Sequence, residues 1–62
     1  MNSFYPIVKA ELKLLGFYFV RQGKGSHEIW SDGNKTFPVP INIKSRHTAN
    51  GILKEAGSII KV

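Results

Sequence analysis

His27 is the residue in this 62-residue chain best suited to chemistry. Histidine is the side chain that takes or gives a proton near neutral pH. Here it follows Gly25 and Ser26, with Arg21 and Lys24 just upstream. A glycine lets a phosphate come close to the backbone. Arg and Lys hold a phosphate through charge-assisted hydrogen bonds, and the N–H groups of a turn over 23–26 would add a concave anion site. A base beside a phosphate cradle points to chemistry on a nucleic acid. RNA carries its own nucleophile, so a base that removes the 2′-OH proton starts in-line attack on the adjacent phosphorus. The products are a 2′,3′-cyclic phosphate and a free 5′-OH. Arg21 or Lys24 would stabilise the charge that develops on the phosphate.

The leaving oxygen also needs a proton. His47 has the right side chain and stands beside Lys44 and Arg46 at a predicted helix start. That cationic setting suits a phosphate contact better than an acid, and Arg21, Lys24, Lys44 and Arg46 fit the plain reading of solvated surface charges as well. Tyr18 and Trp30 are candidates for stacking on unpaired bases. Core packing is the commoner fate of aromatics in a domain this small; of the two, Trp30 is the candidate to face outward, because it alternates with Ile29 along its strand. Two histidines and four scattered carboxylates with no H-E-x-x-H spacing make a poor ligand set, so no metal and no cofactor is expected.

The elements that must position these residues follow from pattern. Ser3 suits an N-cap and Pro6 a first helical turn. Over residues 4–15, Phe4, Val8, Leu12 and Leu15 fall within an arc of roughly 80°. Ile7, Ala10 and Leu14 form a second apolar cluster, expected to meet a second helix, with a partner chain as the alternative. Gly16 ends the helix. Residues 17–21 are aromatic and β-branched, hence a strand. A turn over 22–25 leads to a second strand over 26–31. Asp32, Gly33, Asn34 and Lys35 make a hairpin turn. The third strand, 36–40, holds Pro38 and Pro40, which place it at a sheet edge. After an irregular stretch over 41–46, a second helix begins near His47 and Thr48, with Ala49, Ile52, Leu53 and Ala56 on one stripe. Gly57 stops it. Gly51 costs that helix about 1 kcal/mol against Ala, and close packing is the expected reason for it. The pattern predicts one α+β domain over 1–62, with both helices on one face of a three-stranded antiparallel sheet. The other face, or the sheet rim, is left for binding.

Composition narrows the partners. Nine Lys/Arg against four Asp/Glu give +5, which favours a polyanion, although charge of this size also serves solubility alone. The absence of cysteine excludes disulfides and thiolate metal sites and agrees with a reducing, cytoplasmic setting. No apolar run approaches the length of a membrane span, and the first residues lack the basic region and cleavage site of a signal peptide.

Three pieces of the chain carry a resemblance to a known family. The first runs from Leu12 through Gly16 and Phe17 to Val20, Arg21 and Gln22, and into Gly25, Ser26 and His27. The second is Val39 and Pro40, and the third is Thr48 with Ile52, Leu53, Lys54, Glu55, Ala56 and Gly57. Together they resemble the HicA-type toxins, the RNA-cleaving halves of bacterial toxin–antitoxin pairs. The resemblance implies a double-stranded-RNA-binding-like fold, an endoribonuclease that cleaves mRNA and inhibits translation, and a HicB-type antitoxin as partner. It places the catalytic role on His27. Many relatives carry a second histidine two positions after the proline matching Pro40; here that position is Asn42, which cannot titrate. Two other classes stand beside this one: a non-catalytic RNA-binding module of the same fold, which would use the same charges, and a protein-interaction domain using the doubled apolar faces of the first helix.

Overall fold

Pro6 opens the first turn of helix α1 (Tyr5–Leu14), where its missing N–H costs nothing. The computed structural model describes residues 3–62; Met1 and Asn2, on which the reading of the leader drew, lie outside the described residues. Ser3 does not cap α1 as a standard N-cap, which falls on Phe4. Its Oγ instead accepts from Tyr5 N and from Ile43 N, both at 3.1 Å, and so ties the start of α1 to the loop before the last helix. Gly16 (φ +94°) closes α1. Phe17 N donates to Leu12 O and Gly16 N to Lys13 O, the paired bonds of a Schellman stop. Phe17 therefore belongs to the helix stop and the core, one residue ahead of strand β1 (Tyr18–Gln22).

Strands β2 (His27–Ser31) and β3 (Thr36–Pro40) complete an antiparallel sheet in the order β1-β2-β3. The ladder between β1 and β2 skips Val20, a bulge between Phe19 and Arg21. β3 is an edge strand, as its prolines predict. Ile41 N donates to Ser26 O at 2.9 Å. Backbone groups alternate in direction along a strand, so Val39 and Phe37 also face β2 while Pro38 and Pro40 face outward, where no donor is required.

Helix α2 (Arg46–Glu55) begins at Arg46, ahead of the expected start, because Ser45 caps it: Ser45 Oγ accepts from Thr48 N at 3.3 Å. Gly57 (φ +89°) ends it, with Ser58 N on Leu53 O and Gly57 N on Lys54 O. The chain then folds back. Ser58 Oγ donates to Glu11 Oε2 (2.9 Å), and Val62 N donates to Asn50 Oδ1 (2.7 Å).

One core joins these layers. Val8 and Leu12 of α1, Ala49 and Leu53 of α2, and Trp30 and Val39 of the sheet are buried together with Phe17 and Ile43. Both helices therefore cover the same face, giving the expected α+β architecture. One expectation is corrected. The cluster of Ile7, Ala10 and Leu14 does not meet α2; all three are exposed, Leu14 at 82%. Val8 and Leu12 of α1 share the buried core with Ala49 and Leu53 of α2. Trp30 takes the core place that is the commoner fate of an aromatic in so small a domain and is 1% exposed; it is not the outward-facing exception. Its Nε1 donates to Glu28 Oε1 at 3.0 Å, so the indole is buried with its polar atom satisfied. Residues two apart share a face, so Ile29 and His27 lie on the side opposite Trp30 and the helices.

Candidate functional site

The turn between β1 and β2 builds the surroundings of His27 from backbone. Gly23 N donates to His27 O (2.8 Å), and His27 N donates back to Lys24 O (3.2 Å). Gly25 sits at φ +61°, the left-handed conformation that lets the chain reverse here. Gln22 Nε2 donates to His27 O (3.0 Å) and to Gly25 O (3.3 Å), bracing the turn from the β1 side. From the β3 side, the bond from Ile41 N to Ser26 O pins the other flank. The imidazole thus rests on a backbone held from both neighbouring strands.

The ring itself is exposed. Its Nδ1 lies 3.2 Å from Lys24 O. A carbonyl only accepts, so Nδ1 carries the proton and donates. In the neutral ring Nε2 is then the bare nitrogen, an acceptor with no protein hydrogen bond among the described residues. That is the tautomer a general base needs at Nε2.

Of the other residues singled out in the sequence, Arg21, Lys24, Gly25 and Ser26 share this turn or its approach. Arg21 pairs with Ile29 across the ladder, which sets it on the same sheet face as His27. Its guanidinium donates to Gln22 O at 3.4 Å. Lys24 and Ser26 are exposed. Lys44, Arg46 and His47 are exposed on the loop before α2 and its first turn. The Ser26 to Ile41 bond brings that loop's start to the His27 turn, but no hydrogen bond among the described residues joins His47 to His27. His47 instead lines a groove of about 500 Å³ between α2 and the chain end, together with Gly51, Lys54, Ile59 and Lys61. Asn42 is exposed one residue beyond Ile41.

Sequence reasoning did not assign Gln22 a role. Its work is positional: it holds the carbonyls of Gly25 and His27 and never reaches the ring. The only available signal was its place at the mouth of a glycine-rich turn.

Fold and site together define a small basic α+β domain with two helices on one face of a three-stranded antiparallel sheet and a solvent-facing histidine at the head of its middle strand. Residues 7–58 match a family described as the HicA toxin of bacterial toxin–antitoxin. The chain belongs to that HicA toxin family, and membership implies an antitoxin partner. No curated protein and no solved structure matches the chain. Among the described residues, no helix is long and apolar enough to cross a membrane.

Proposed function

We propose that this toxin is an endoribonuclease that cleaves mRNA with His27 as general base and so inhibits translation in the cytoplasm. The observation that supports it best is the exposed imidazole whose Nδ1 is engaged by Lys24 O, leaving Nε2 free. Nε2 takes the proton of a ribose 2′-OH. The 2′-oxygen then forms a bond to the adjacent phosphorus as the bond from phosphorus to the 5′-oxygen breaks. The 5′-oxygen leaves with a proton from water or from the protonated ring, giving a cyclic phosphate and a 5′-OH. Arg21 and Lys24 hold the phosphate, and the backbone of Gly25 and Ser26 lets it approach. Lys44, Arg46 and His47 extend the cationic surface along the RNA. A HicB-type antitoxin holds the enzyme inactive. The chemistry calls on no metal or cofactor, since nucleophile and leaving group both belong to the substrate.

Cleavage of RNA in EDTA tests this reading. His27→Ala is expected to lower the rate by about 10²–10⁴. His27 is exposed, so the variant should fold as the parent does. Equal rates would remove His27 from the chemistry. Salt-dependent RNA binding with no product would instead identify a non-catalytic RNA-binding module.

A further inference from the structure

The two edges of the sheet are built differently. β3 turns Pro38 and Pro40 outward, which removes donors from that edge and closes it to strand pairing. β1 contains no proline, and all five of its residues are exposed. Three in a row are large and apolar: Tyr18, Phe19 and Val20 are 52%, 49% and 46% exposed. Exposed apolar side chains on both faces of an edge strand, with unpaired backbone between them, mark an interaction surface. A groove of about 430 Å³ runs next to it between α1 and β1, with Lys9 and Lys13 in its wall. Arg21 extends the positive charge along the strand. The carboxylate in that wall, Glu28, already accepts from Tyr5 and Trp30 through Oε1.

We infer that β1 is the docking edge for the antitoxin, which lays a short extended strand against it. That strand alternates its side chains between the two faces: apolar groups for Phe19 and carboxylates for Lys9 and Lys13 on the helix side, and an apolar group for Tyr18 and a carboxylate for Arg21 on the other. Added strands gain affinity from main-chain hydrogen bonds and specificity from alternate side chains. The bulge at Val20 interrupts the edge and keeps the added strand short. A second copy of this chain is the wrong occupant, since each carries +5 and like charges oppose pairing. RNA fits poorly as well. Tyr18 pairs with Ser31 and Phe19 with Trp30, neighbours on β2, so the two rings leave opposite faces of the sheet and form no single stacking platform. The partner's existence rests on family membership and not on the nuclease reading, so loss of that reading leaves this inference standing.

The experiment uses the full chain and its cognate antitoxin, with affinity measured by calorimetry and backbone protection by hydrogen exchange. Val20→Asp is expected to weaken antitoxin binding by about tenfold or more, with RNA cleavage retained. Val20→Ile is expected to bind as the parent does. Amides over 18–22 should gain protection in the parent complex. Unchanged affinity in a folded Val20→Asp variant would overturn the inference. So would a parent complex without added protection at β1, or an antitoxin that does not bind. Loss of RNA binding with antitoxin binding kept would assign the edge to RNA and overturn it too. Should Val20→Asp not fold, the exchange pattern of the parent complex decides.

Discussion

At the scale of single residues, the catalytic proposal turns on which nitrogen of His27 carries the proton. Lys24 O accepts from both His27 N and Nδ1, so the turn that positions the residue also selects its tautomer. In long-range nitrogen–proton spectra of the neutral ring, Nδ1 should appear protonated and Nε2 bare. A proton on Nε2 would mean that the wrong nitrogen faces the substrate. The place and type of His27 were legible in the sequence, because a glycine-rich turn before a strand leaves a polar side chain at its head exposed. The clamp was not legible. It depends on carbonyl directions inside the turn, which Gln22 and Gly25 set together and which no residue type encodes alone. His47 shows the converse. Its type suggested an acid; it lines the groove beside the chain end, and no hydrogen bond among the described residues joins it to His27.

At the scale of elements, local signals succeeded where one residue type had one available role. Gly16 and Gly57 both stop helices with positive φ, a conformation that costs other residues roughly 1–2 kcal/mol. Pro38 and Pro40 placed β3 at an edge for an equally local reason. The start of α2 was blurred because Ser45 and Thr48 both carry hydroxyls, and only the structure shows which caps and which is capped. Alternation along β2 separated Ile29 from Trp30 but did not say which points inward; the partner for the indole N–H, Glu28 on the same face, decides that. The second apolar cluster of α1 misled because a single second helix covers only one stripe. Gly51 is unexplained by packing: a Cβ there would meet nothing within 4 Å. Gly51→Ala should therefore stabilise α2 by about 1 kcal/mol. In a domain of this size that raises Tm by about 4–8 °C, readable by thermal unfolding. A lower Tm would show that the glycine serves the fold in a way its surroundings do not reveal.

At the scale of the whole molecule, a chain this short buries only about 60% of its unfolded surface, so the few polar joints between layers matter. The joint between α1 and the sheet is a shared carboxylate. Tyr5 OH donates to Glu28 Oε1 at 2.7 Å, and Trp30 Nε1 donates to the same oxygen. Burial, the hydrogen bond to Glu28 and the charge of Glu28, in that order, push the Tyr5 phenol from 10.0 up to about 12. A raised pKa means that the folded state keeps a proton which the unfolded chain releases. The stabilisation is fully present below pH 10 and is lost as pH rises through about 12. Urea unfolding at stepped pH should thus show the parent losing stability across that window. Tyr5→Phe lacks the hydrogen bond and should be less stable at neutral pH, yet it should fall less steeply over the same window, because the other titrating groups are common to both proteins. Parallel alkaline limbs would mean that Tyr5 ionises alike in both states and that the shared carboxylate does not hold α1 to the sheet.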